Sequence, residues 1–173
     1  YRALTLHIEN RNDDGIAQTE HNLGEAYHHK DEFHQSIAHF NKARLIHLKK
    51  NNLRGLAYVH LGLGKSHTEL GSFHKGINEL LKGLDYAIQY NEISLKSDVI
   101  LALSNSYVQK KYYRQAEYYA LKAKALAEES QNTRTLTQSL RQLAKIADKR
   151  GKYEMALSYY REYVENEITI RDR

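Results

Sequence analysis

Apolar positions recur along this chain in a fixed register. Leu23, Leu63, Leu103 and Leu143 stand forty residues apart, with Tyr27, His67, Tyr107 and Ala147 four places later. Phe33, Phe73, Tyr113 and Tyr153 open the segment that follows. Small residues keep the same spacing: Gly24, Gly64, Ser104 and Ala144 follow the leucine, and Ser36, Gly76, Ala116 and Ala156 recur in the next segment. Leu23 and Tyr27 are one helical turn apart and share a face, and Gly24 leaves room there for a second backbone. Phe33, Ile37, Phe40 and Ala43, at three- and four-residue steps, form the apolar stripe of a helix that folds back on the first. The pattern predicts helix pairs at about 16–30 and 33–50, 56–70 and 73–90, 96–110 and 113–130, and 136–150 and 153–170. A single pair cannot bury its own apolar face, so neighbouring pairs must stack, which makes the expected fold an all-α solenoid of stacked antiparallel helix pairs.

The stretch Leu23–Phe40, LGEAYHHKDEFHQSIAHF, carries L-G-x-x-Y, an aromatic near the turn, then small-x-x-x-aromatic-x-x-Ala. It resembles the tetratricopeptide repeat, in a variant with forty residues per unit, and the resemblance covers nearly the whole chain. It implies a right-handed superhelix and one repeat domain over 1–173, with repeats at 17–56, 57–96, 97–136 and 137–173. The chain departs from the family in having no proline, which usually ends each unit. Asn51-Asn52 and Gln131-Asn132 are expected to terminate helices instead, and Gly71 and Gly151 to mark turns within pairs, with Asp31 and Lys111 at the equivalent places.

Residues 1–14 align with the second helix of a truncated preceding repeat, since Ala3 precedes Ala43 and Gly15 precedes Gly55 by forty. Leu4, Leu6 and Ile8 would seek a partner upstream, and self-association through this end is an open expectation. At the other end ENEITIRDR places Asn166 where Ile46, Tyr86 and Leu126 stand in earlier units, so the last helix either continues into a further segment or frays.

Composition narrows the classes. Charged residues are 27% and hydrophobic residues 41%, no apolar run is long enough to span a bilayer, and no direct membrane contact is expected. Cysteine is absent, which excludes disulfides and thiolate chemistry and leaves both periplasm and cytoplasm open. The net charge of +5 is not clustered: Lys49-Lys50, Lys110-Lys111 and Lys149-Arg150 sit at matching helix ends, where they complement the helix dipole, so no nucleic-acid partner is expected.

Candidate chemistry is sparse. Gly62-Leu63-Gly64-Lys65-Ser66 looks like the end of a phosphate-binding loop, but Val59 stands where its first glycine belongs and the segment lies in a helix. His21, Glu25, His28 and His29 share one helical face at a spacing compatible with a divalent metal, yet such pairs arise often by composition, and a polar wall is the expected reading. No cofactor and no metal is expected. His67, in place of the packing tyrosine, is expected to be partly buried. Half of each tyrosine pair on the second helices, Tyr112-Tyr113, Tyr118-Tyr119 and Tyr159-Tyr160, must point away from the core. Nothing matches a catalytic motif, so this region is read as non-enzymatic.

In the family that the chain resembles, side chains on first helices that avoid the core contact the ligand. Carried over by register, these are Gln18, His21, Glu25 and His28, then Tyr58, Leu61, Lys65 and Thr68, then Asp98, Leu101, Asn105 and Val108, and finally Gln138, Arg141, Lys145 and Asp148. Leu61 and Leu101 would make an apolar centre and Arg141 with Lys145 a basic end, suited to a protein or peptide with an apolar centre and an acidic group. The clamp of the chaperone-binding members is not matched. The ending ALSYYREYVENEITIRDR is similar to the last repeat before the output region of bacterial receptors of the family, including diguanylate cyclases and histidine kinases, which implies a sensory module of a larger protein. Peptide-responsive cytoplasmic regulators with similar long repeats, and pure scaffolds, are the alternatives.

Overall fold

The structure is a computed structural model that describes residues 12–171. These residues form helices and short turns only, in two compact units that divide between Tyr90 and Asn91. The first unit holds α1 (Asp13–His29), α2 (Phe33–Lys49), α3 (Leu53–Glu69) and α4 (Phe73–Tyr90). The second holds α5 (Ile93–Gln109), α6 (Tyr113–Glu129), α7 (Thr133–Lys149) and α8 (Tyr153–Arg171). Consecutive helices within each unit pack on one another, and the first helices also touch, α1 with α3 and α5 with α7.

The turns explain how a chain without proline stops its helices on time. One residue in each turn takes a left-handed conformation: Asp31, Asn51, Gly71, Asn91, Lys111, Gln131 and Gly151, with φ between 50° and 72°. In six of the seven the same two hydrogen bonds close the helix end. Asp31 N donates to His28 O at 3.0 Å and Glu32 N to Tyr27 O at 2.9 Å, and the pattern repeats from Asn51, Gly71, Lys111, Gln131 and Gly151. The turns therefore recur every twenty residues, twice as often as the sequence motif.

First helices begin at residues 13, 53, 93 and 133, three places before the expected starts. Three of these starts are capped: Asn12, Asn52 and Asn132 precede α1, α3 and α7, and their side-chain oxygens accept from the backbone N of Gly15, Gly55 and Thr135 at 3.0, 2.8 and 3.2 Å, whereas Glu92 before α5 makes no side-chain cap bond. Residues 13 and 14, assigned from sequence to a preceding helix, thus open α1. The rest of that predicted segment, with Ala3, Leu4, Leu6 and Ile8, lies outside the described residues.

Each unit has its own core. In the first, Phe40, Ala43, Val59 and Leu63 are buried together, with Ile37 against them. Gly24 and Gly62 both abut the Phe40 ring: a Cβ at either would lie 2.8 or 2.3 Å from it. In the second, Ala116, Ala120, Leu143 and Ile146 are buried together, with Tyr107, Val108, Tyr113 and Tyr159 packed around them. The small positions do bring backbones close, since Ser36 Oγ donates to Gly24 O and Ser104 Oγ to Ala116 O, each at 2.8 Å. Leu63, Leu103 and Leu143 are buried, as the register requires. Leu23 is only half-buried; it sits in the first described pair, which has a described neighbour on one side alone. At the other end α8 packs on α7, and Tyr153, Leu157, Tyr160 and Val164 of its stripe remain exposed.

Candidate functional site

The two units offer different surfaces. In the first, α1, the end of α2 and the start of α3 enclose a cleft of about 360 Å³. Gln18, His21 and Glu25, three of the residues expected from register, line it from α1, and Tyr58 lines it from α3. His21 stands edge-on to Phe40 and Tyr58, with ring centroids 5.3 and 6.2 Å away, and its Nε2 is 3.6 Å from Glu25 Oε1. The neighbouring His21 imidazole is the main reason why the Glu25 carboxyl titrates below its ordinary range. The Arg54 guanidinium lies over the Tyr58 ring, 5.4 Å from its centroid.

Several residues expected on this surface are elsewhere. Leu61 and Thr68 are buried, because α3 is packed by α1, α2 and α4 and ten of its residues are covered; Thr68 Oγ1 is spent on Gly64 O at 2.9 Å. Lys65 is exposed. Of its supposed cluster His28 keeps only His29 as a ring neighbour, at 6.0 Å; its Nδ1 is 3.0 Å from Ser66 Oγ and its ring is edge-on to Phe33. Burial pushes its pKa down. Among the described residues no three His, Asp or Glu side chains converge as metal ligands.

In the second unit, Asn105, Gln138, Arg141, Lys145 and Asp148 are exposed. Leu101 is buried, 5% exposed, and Val108 packs against the core cluster, so the apolar centre expected of Leu61 and Leu101 does not reach the surface. Asp98 is half-buried and taken up structurally, accepting from the hydroxyl of Thr135 and, at 3.4 Å, from Asn132 Nδ2. The face left on α7 is basic at Arg141 and Lys145.

Sequence reasoning missed Asn22, His47, Asn52, Arg54 and Gly55 in the cleft. It also missed two carboxylate–imidazole pairs, the buried Glu20 with His39 at 2.6 Å and the part-buried Glu79 with His60 at 2.7 Å. The second pair repeats the first forty residues later with the residue types exchanged, which a search for identical residues overlooks. The Glu79 carboxyl is lowered to about 2, first by its hydrogen bond from His60, with Lys82 adding to it.

Fold and surface together define the class: an all-α, tetratricopeptide-like helical-repeat solenoid. Neither a family model nor a curated protein matches the sequence. Among solved structures the chain is similar to a Rap protein complexed with competence and sporulation factor (22% identity, TM-score 0.83), over 87% of this chain and 42% of that one. It is also similar to the Rap conjugation gene regulator of the plasmid pLS20 in complex with the Phr* peptide (19%, TM-score 0.77), over 91% of this chain and 44% of that one. MamA matches at 13% identity and a TM-score of 0.67, over 96% of this chain and 95% of that one. The chain therefore spans under half the length of the two Rap proteins.

Proposed function

We propose that this chain is a non-catalytic module that binds a peptide or extended protein segment on the exposed face of its first helices, as the sensory or regulatory region of a larger protein. The observation that carries this reading is the cleft of the first unit, open, polar and lined from α1 and α3 at the places where register puts ligand contacts. The likeness to two Rap structures, one complexed with competence and sporulation factor and one with the Phr* peptide, supports a peptide as the ligand. It favours the peptide-responsive regulator over a cyclase- or kinase-linked receptor. With Leu61 and Leu101 buried, recognition would rest on polar groups and on the rings of His21 and Tyr58 rather than on an apolar centre.

The test is selection of binding peptides from a displayed library on the intact chain, followed by titration calorimetry. Tyr58→Ala and Gln18→Ala are expected to weaken binding several-fold with the fold intact, because neither side chain is in the core. Reversing Arg141 and Lys145 to glutamate is expected to weaken acidic peptides and flatten their salt dependence. Binding that survives all of these and is lost on Tyr118→Ala, on an exposed tyrosine of α6, would move the working surface to the second helices.

A further inference from the structure

The cleft contains a side chain that the fold leaves partly unsatisfied. His47 is 8% exposed, and its Nδ1 is enclosed against Gly55 without a hydrogen-bond partner. A buried polar atom in that state destabilises the fold. The register shows how easily it is avoided, since Ala87 and Ala127 occupy the same place in later repeats and are fully buried.

Gly55 is the other half of the arrangement. A Cβ there would lie 2.5 Å from the imidazole, and the register elsewhere has Leu95 and Thr135 at this place. A histidine and a glycine thus replace a small residue and a larger one. The exchange puts an imidazole in the wall of an open cleft. Because Nδ1 is shut against α3, Nε2 is the nitrogen His47 can offer, and it carries the proton, since a buried lone pair without a partner is tolerated better than a buried N–H.

Other donors lie at the same end. The cleft reaches the N-terminus of α3, a helix of 17 residues, where the dipole favours negative charge. Asn52 Oδ1 accepts from Gly55 N at 2.8 Å, which leaves the Nδ2 hydrogens for a second partner. Arg54, stacked on Tyr58, brings a positive charge to the lining. Glu25, the opposing charge, belongs to α1, is 59% exposed and is engaged by His21.

We propose that the α3 end of this cleft is a carboxylate subsite, in which Arg54, the Asn52 amide and the Nε2–H of His47 together hold an Asp or Glu side chain or the C-terminal carboxylate of a bound peptide. It rests on the reading of this face as a peptide-binding surface, and it fixes the direction of the peptide, acidic group toward α3 and its cationic or amide groups toward Glu25.

The test uses three probes on the intact chain: acetyl-Gly-Glu-Gly-amide, acetyl-Gly-Gly-Gly with a free C-terminal carboxylate, and acetyl-Gly-Gln-Gly-amide. Binding is read from the imidazole ¹⁵N–¹H correlations of His47, assigned by their loss in His47→Ala. A carboxylate probe is expected to shift Nε2 saturably in the millimolar range while the glutamine probe does not, and whichever carboxylate saturates first identifies the source. Read from backbone amides of α3, His47→Ala and Arg54→Gln should each weaken that probe about tenfold or more, the loss expected for a charge-assisted hydrogen bond. His47→Ala should melt no lower than the parent, since alanine is the register residue; if it fails to fold, His47→Ala with Gly55→Thr, which copies the Ala127 and Thr135 pair, takes its place. An equal response to the glutamine probe, no saturable shift up to tens of millimolar, or unchanged affinity in both variants would overturn the subsite. If carboxylates bind here and no library peptide binds the chain, the peptide reading falls alone; if peptides bind and the cleft ignores carboxylates, the subsite falls alone.

Discussion

At the scale of single residues, the turns concentrate the backbone strain. Asp31, Asn51 and Asn91 tolerate a left-handed conformation through their short polar side chains, but Lys111 and Gln131 have no such compensation. Lys111→Gly should therefore raise stability by about 0.5–1 kcal/mol in urea unfolding, relief of strain being partly offset by the greater freedom of glycine in the unfolded chain. Asn91→Gly should give less. Titration provides a second prediction. His28, His47 and His67 are pushed below the ordinary value of 6.5, mainly by burial, so as pH falls through 6.5 the unfolded chain takes up protons first and stability declines. Glu79 adds a lower wing: its stabilisation is complete above about pH 4.5 and is lost as pH falls toward about 2. Glu79→Gln should flatten that lower wing in a melting-temperature series and leave the decline below 6.5 in place. Neither effect was legible in the sequence, because a depressed pKa comes from burial and from a partner nineteen residues away.

Among helices, the forty-residue register was legible wherever a side chain must be large or small to fit. Leu103 is fully buried, and Leu103→Ala should cost about 2–5 kcal/mol, whereas Leu121→Ala on an exposed position of α6 should stay within about 0.5 kcal/mol. Denaturant midpoints of the two variants check this. Helix starts were less legible. Apolar spacing marks where packing begins, at residues 16, 56, 96 and 136, while the backbone turns helical three residues earlier, at an asparagine cap in three of the four cases. The exposed halves of the tyrosine pairs, Tyr112, Tyr118 and Tyr160, followed from spacing alone, as did the half-buried His67.

For the whole molecule, a repeat array gains its stability from local terms, each helix pair contributing with its neighbours. The division into units 1–90 and 91–173 sharpens this. In native-state hydrogen exchange, Leu103→Ala should speed the amides of α5, α6 and α7 before those of α1 and α2, and Phe40→Ala should do the reverse. Uniform acceleration across all eight described helices would mean one cooperative unit.

What the sequence determined by itself is the all-helical repeat, its forty-residue register and the identity of the packing leucines, because these depend only on which residues recur and at what helical phase. Which register positions remain at the surface was decided by tertiary structure. Leu61 and Leu101 lie on the face that the family pattern exposes, and both are covered, because burial depends on how closely neighbouring helices approach and not on phase along one helix. The cleft around His47 belongs to the same class of fact. In its wall a glycine at 55 lets an imidazole at 47 settle against another helix, a contact between two positions whose meaning neither residue carries alone.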